Sequence, residues 1–305
     1  MQTLRRIGVT AATVSMALGG LLVQAAAPAS AAAQAPNALK APTALQATTA
    51  FKAAAAGAPA SQFGASINSA DDVARLTTML GRPLSSVRVF LGGTPSAWSK
   101  NPLLQTVPPG GTVAISFQSG TPAQVQTFLS SRPGGMTCYA TYFHEPEDNF
   151  TTAAQKAAYR AAWDGYAPAI RDAGCKPTLI LMKWSLNPKS GRDWHDWFPT
   201  GDVDVLAFDA YNTRAKQDTY GIPANYLAPI LAASTETHLP WALTELGSDI
   251  PAGTTSDDRA AWAHGVAVAA AADPNFLFAD WWDVLSKDGS RDYQLDSTAA
   301  LAWHP

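Results

Sequence analysis

Two glutamates carry settings that suit chemistry. Glu145 closes the stretch Tyr139–Glu147, Tyr-Ala-Thr-Tyr-Phe-His-Glu-Pro-Glu, where an apolar, β-rich run stops abruptly at His144-Glu145-Pro146. Glu245 closes a second apolar run, Pro240–Glu245, and is followed by Leu246-Gly247. Two carboxyls that face each other can cleave an acetal: one keeps a proton for the leaving oxygen, and the other is ionised and attacks the anomeric carbon or activates water. The two states coexist when their environments push the pKa values apart. Other polar residues sit within or at the ends of apolar runs: Arg88, His144, Lys183, Asp209, Tyr211 and Asp280. Arg88 and the Tyr211 hydroxyl would both favour an ionised carboxylate. His144 can donate to a sugar hydroxyl, and Asp209 shares a strand face with Tyr211. The chain has ten Trp, and Trp184, Trp281 and Trp282, with Trp194 and Trp197 nearby, suit stacking on sugar rings.

These residues need a scaffold that gathers strand ends. From residue 62 the chain alternates. Apolar runs occur at Phe63–Ile67, Ser86–Leu91, Thr112–Phe117, Cys138–Phe143, Pro177–Trp184, Val203–Tyr211, Pro240–Glu245 and Phe276–Trp282. Between most of them lie helical patterns, three of them with start signals: Ser69 before Asp71-Asp72, Thr121-Pro122 and Ser256-Asp257-Asp258. The longest, Thr151–Ala173, stops at Gly174. Two connections, around Trp98–Val107 and Asp193–Phe198, lack a full helix pattern. The runs are continuously apolar, as strands covered on both faces are. Alternating strands and helices on this scale predict a single-domain (β/α)8 TIM barrel over 62–305. An open doubly wound sheet is disfavoured, because Ile67-Asn68-Ser69 after the first run has no Gly-rich loop. In the barrel Glu145 ends strand four and Glu245 ends strand seven, so they face each other across the mouth.

Composition narrows the setting. The 305 residues are 47% hydrophobic, with a net charge of −3 and no basic run, which speaks against a nucleic-acid partner. Residues 1–33 have the layout of a secretory signal peptide: Arg5-Arg6, an apolar stretch from Ile7 to Val23, then Ala-x-Ala sites such as Ala29-Ser30-Ala31. Residues 34–61 are Ala- and Pro-rich and read as a linker or disordered segment. The expectation is a secreted protein, monomeric and not membrane-bound once the signal is removed. Cys138 and Cys175 are the only cysteines, and an exported pair favours a disulfide. The five histidines are scattered with no His-Glu-x-x-His, so no metal and no cofactor is expected. There is no Gly-x-Ser-x-Gly for serine hydrolysis.

The arrangement resembles glycoside hydrolase clan A: a Glu ending strand four, a Glu ending strand seven, an Arg on strand two, a Tyr on strand six and a Trp on strand eight. Most of that clan has Asn before the strand-four Glu. His144 stands there in this chain, which is similar to glycoside hydrolase family 26, the β-mannanase and β-glucanase group. The resemblance implies Glu145 as acid/base, Glu245 as nucleophile, and cleavage of a β-linked mannan- or glucan-like polysaccharide or oligosaccharide with retention of configuration. It leaves sugar and linkage open. The short strand-end loops favour endo action. A non-catalytic carbohydrate-binding barrel is the alternative.

Overall fold

Eight parallel strands close into one barrel in chain order in the computed structural model, which describes residues 63–212, 219–285 and 292–303. The expected signal at 1–33 and linker at 34–61 lie outside the described residues. The strands are β1 Phe63–Ser66, β2 Ser86–Leu91, β3 Thr112–Phe117, β4 Thr137–Tyr142, β5 Lys176–Met182, β6 Val205–Tyr211, β7 Trp241–Gly247 and β8 Phe276–Trp282. β8 pairs back onto β1, Phe63 opposite Ala279 and Ser66 opposite Trp282. The helices are α1 Ala70–Leu80, α2 Pro122–Ser130, α3 Ala153–Asp172, α4 Pro223–Thr237, α5 Ser256–Ala271 and α6 Ser297–Trp303. Short 3₁₀ turns replace a helix between β2 and β3 and between β5 and β6. None of the described helices is long and apolar enough to cross a membrane.

Four helices start with the same device. Ser69, Thr121, Thr152 and Thr255 accept a hydrogen bond from the backbone N–H three residues on, while Asp72, Gln124, Gln155 and Asp258 accept from the cap's own N–H. Each box satisfies two N–H groups that the first turn leaves without an intrahelical partner. It therefore fixes where each strand-end loop hands over to its helix.

Strand alternation sorts side chains into two cores. Outward residues such as Val87, Val89, Leu179, Leu181, Leu243 and Trp281 pack against the helices. Inward ones, Ala114, Tyr139, Ile180, Val205, Ala207, Ala242 and Phe278, fill the barrel. Tyr139 on β4 and Phe278 on β8 meet at 4.6 Å between ring centroids, a contact that crosses the interior. Each buried Phe or Leu contributes about 1.5–3 kcal/mol. The inside is tight: a Cβ on Gly64 would lie 2.0 Å from the Ser86 carbonyl oxygen and 2.5 Å from the Asp280 carboxyl, so only glycine fits there.

Two local features set the site. Cys138 on β4 and Cys175, next to β5, form the expected disulfide, with Cα atoms 4.7 Å apart and a sequence separation of 37. β7 carries a bulge. Phe208 pairs with Leu243, but Asp209 pairs with Glu245, so Thr244 is an extra residue in the ladder. The β7–β8 pairing steps over the same place, from Leu243 to Leu246 on β7 against Ala279 to Trp281 on β8. A bulge shifts side-chain parity by one. Strict alternation from Ala242 would turn Glu245 outward; the extra Thr244 turns it in, beside Asp209.

Candidate active site

The tip of β4 is built on a strained turn. Phe143 and Glu145 have φ of 55° and 47°, left-handed values that non-glycine residues rarely adopt. Strain of this kind persists where surrounding bonds over-determine the backbone. Here β4 and β5 pair only low down, Tyr139 with Lys176 and Ala140 with Pro177. Higher up, the Glu145 N–H donates to the Ile180 carbonyl at 3.0 Å. The Met182 N–H donates to Glu147 Oε1 at 2.9 Å. Glu147 is buried, which pushes its pKa up to about 7. It is the anchor that ties the β4 turn to the end of β5, a larger role than capping the next helix.

Opposite, Glu245 is nearly buried and accepts a hydrogen bond from the Tyr211 hydroxyl through Oε2. Beside it Asp209 accepts from Thr244 Oγ1 at 2.7 Å through Oδ1. Below lies Arg88, fully buried, donating to Ser116 Oγ, with its guanidinium carbon 4.3 Å from the Phe90 ring centroid. Asp280 is fully buried on the inward face of β8. Arg88 feels Asp209, Glu245, Asp280 and Glu145, so one cation serves four carboxyls.

That imbalance sets the proton affinities. Burial, then repulsion from Asp209, Glu147 and Asp148, raises Glu145 to about 8. Burial and Glu145 raise Glu245 to about 7, opposed by Arg88, the Tyr211 hydroxyl and a hydrogen bond from Asp209. Asp209 is held well above the usual carboxyl range by burial and by Glu245, so it keeps a proton to give that bond. Burial and the nearby Arg88 lower His144 to about 3, leaving a neutral imidazole. Tyr211 is raised, mainly by burial, and stays a donor. Glu145 is thus the carboxyl that holds its proton more firmly, and Glu245 is the one surrounded by donors. Such an offset pair can act as acid and nucleophile.

A cavity of about 400 Å³ opens above this layer, lined by Glu145, Met182, Lys183, Trp184, Asp209 and Tyr211 among others. Trp184 is 48% exposed and offers a ring face. Near the tips of β2, β4 and β8, Phe90 packs edge-on against both His144, at 5.2 Å, and Trp282, at 5.6 Å.

The structure therefore gathers Arg88, His144, Glu145, Asp209, Tyr211 and Glu245 at one mouth, with Trp184 at its rim and Trp282 half-buried beside Phe90. It does not bring in Trp281. That side chain is fully buried on the outer face of β8, its indole N–H donating to the Tyr293 carbonyl at 2.7 Å and its ring packed against Trp262 and Trp303. Neighbours on a strand point to opposite faces, so Trp281 and Trp282 cannot both reach the cleft. Trp194 and Trp197 are also packed into the shell. Asp209 shows only a sliver of surface at the cavity floor and faces Glu245. Phe90 went unnoticed in the sequence, although it lies two residues after Arg88 and so on the same face.

No model of a protein family matches the sequence, and no curated protein sequence matches it either. Solved structures share the fold. A GH128 (subgroup II) endo-β-1,3-glucanase from Sorangium cellulosum aligns with a TM-score of 0.55 at 16% identity, covering 80% of this chain and 98% of that one. A GH128 (subgroup I) endo-β-1,3-glucanase from Amycolatopsis mediterranei, in complex with laminaritriose, gives 0.52 at 15% identity over 80% and 98%. The catalytic domain of a GH26 endo-β-1,4-mannanase from Bacillus sp. JAMB-750 gives 0.52 at 15% identity over 83% and 87%. At this identity the likeness establishes the barrel.

Proposed function

We propose that this chain is a secreted, endo-acting glycoside hydrolase that cleaves a β-linked glucan- or mannan-like glycan with retention of configuration. The observation that carries the reading is the offset carboxyl pair: Glu145 pushed up to about 8 at the tip of β4, and Glu245 held by Tyr211 and Arg88 at the end of β7. The names of the three solved barrels, two endo-β-1,3-glucanases and one endo-β-1,4-mannanase, support the bond type. The signal-like residues 1–33 support export.

In the proposed mechanism Glu145 gives its proton to the leaving glycosidic oxygen while Glu245 attacks the anomeric carbon. A glycosyl ester on Glu245 results. The leaving sugar departs, Glu145 is now ionised, and it takes a proton from a water that attacks the same carbon. That attack releases Glu245 and restores the starting configuration. The Tyr211 hydroxyl and Arg88 favour the ionised form of Glu245 that attacks, against its burial and Glu145. His144, neutral and beside Glu145, is placed to hydrogen-bond a sugar hydroxyl near the scissile bond.

The test is digestion of a panel of β-1,3- and β-1,4-glucans and mannans, with product sizes resolved and the anomer followed by proton NMR. Internal cleavage with initial release of the β anomer supports the proposal. The α anomer would replace retention by inversion, and no cleavage of any glycan by the wild-type protein would overturn the hydrolase reading. N-terminal sequencing of protein recovered from the medium tests export.

A further inference from the structure

Two lysines stack on aromatic rings, and they differ in one respect. Lys156 lies with Nζ 4.5 Å from the Trp197 ring centroid and also bonds Asp196 at 2.6 Å. Lys183, the residue after β5, lies with Nζ 3.7 Å from the Tyr226 ring centroid, and among the described residues it has no ion pair. It is mostly buried, which lowers its pKa to about 8, and no carboxylate contributes to that value. The ring face offsets part of the lost hydration, and among the described residues no carboxylate pairs with it. A half-desolvated ammonium without an anion gains most from one that arrives with a ligand.

The cavity around it has the matching character. A second cavity of about 520 Å³ is lined by Lys183, Trp184, Lys189, Asn212, Asn225 and Tyr226 among others, and no described Asp or Glu lines it. It is continuous with the catalytic cavity: Lys183, Trp184, Asn187 and Pro229 belong to both. Among the described residues the cleft thus runs from the carboxyls of Glu145 and Asp209 at the catalytic end to two lysines beyond Trp184.

We infer that the Lys183 end of the cleft is a subsite for a sugar unit carrying a carboxylate, so that the preferred glycan is uronate-bearing rather than neutral. Trp184 supplies the stacking face, Lys183 the buried charge, and Lys189 an exposed second charge. The choice of backbone rests on the hydrolase reading; the charge preference does not.

Affinity electrophoresis separates the two. The protein is run through gels containing a neutral β-1,3-glucan, the same glucan partly oxidised at C6 to glucuronate, or the same glucan sulfated. Binding is read whether or not the polymer is cleaved. The expected result is about tenfold tighter binding to the oxidised glucan than to the neutral one, the range of a hydrogen bond to a charged group. Lys183→Met removes that preference, Lys183→Arg restores part of it, and Lys189→Met, at an exposed position, weakens it less. The preference also shrinks at high salt. Equal binding to neutral and oxidised glucan, or a preference untouched by Lys183→Met, overturns the inference. Tighter binding to the sulfated than to the oxidised glucan overturns the carboxylate assignment. Failure of the hydrolase reading would appear separately, as binding without products.

Discussion

Two buried arginines show how differently this molecule treats charge inside and outside its barrel. Arg259 on α5, in the helical shell, is 3% exposed and bonds Asp296 at 2.5 Å and the Asp292 carbonyl at 3.3 Å. One cation meets one anion, and their mutual attraction offsets their desolvation. Arg88 inside the barrel is fully buried, yet it donates to Ser116 and lies amid Asp209, Glu245, Asp280 and Glu145. Four carboxyls around one cation cannot all be ionised there, so some retain protons near neutral pH. The shell balances its charges and gains stability. The interior leaves them unbalanced and gains a proton donor.

Removing the attacking group should break the contrast most. Glu245→Gln is expected to lower kcat on a cleaved glycan on the order of 10⁴-fold, read as release of reducing ends, with an unchanged circular dichroism spectrum. Arg88→Met should lower kcat on the order of 10²-fold. It should also move the acid limb of the pH–rate profile upward, since loss of the cation raises the proton affinity of Glu245. Unchanged kcat in Arg88→Met would mean that the interior cation is structural like its counterpart. Arg259→Met should behave in the opposite way: unfolding free energy falls by about 1–3 kcal/mol, with kcat unaltered. The loss stays at this level because Asp296 is 33% exposed, and water screens it once unpaired.

The smallest effect is on stability against pH. Glu145, Glu147 and Asp280 titrate at about 8, 7 and 7 in the folded protein, above their ordinary range, because burial disfavours the ionised form. A raised folded value means that the native state binds more protons than the unfolded chain. The stabilisation is full below the ordinary carboxyl range and is lost as pH rises through about 7 to 8. Calorimetric Tm should therefore fall between pH 5.5 and pH 8.5, and Glu147→Gln should flatten the fall. A Tm that rises over that interval would contradict the buried, protonated carboxyls. The same protons predict a bell-shaped rate profile whose limbs belong to the coupled group as a whole.

Much of this scaffold was legible before any coordinates. Continuously apolar runs marked the strands, and the interval Phe276–Trp282 agrees end for end with β8. Capping residues marked the helix starts at Ser69 and Thr121, whereas α5 is capped by Thr255, one residue before the Ser256 that the acidic run suggests. The parity of strand residues was less legible. Trp281 and Trp282 are equally suited to a sugar by type, and only packing against Trp262 and Trp303 decides that the first faces the shell. The Thr244 bulge left no trace, because an extra ladder residue has no side-chain signature. Lys183 was visible at a strand tip, but that no described carboxylate pairs with it is a property of space and not of sequence.

The bulge also bears on how such a barrel could change over generations. Its nucleophile candidate lies one residue past an irregularity, so its direction depends on the ladder skipping Thr244 instead of pairing it. Loss of a single codon at Thr244 would restore plain alternation and still leave Glu245 facing in, since it would follow Leu243 directly and pair with Asp209 as before; what would go is the Thr244 hydroxyl that bonds Asp209. The Thr244 deletion variant should accordingly keep cutting glycan, with the acid limb of its pH–rate profile moved because Asp209 has lost a donor, which a reducing-end assay across pH would reveal.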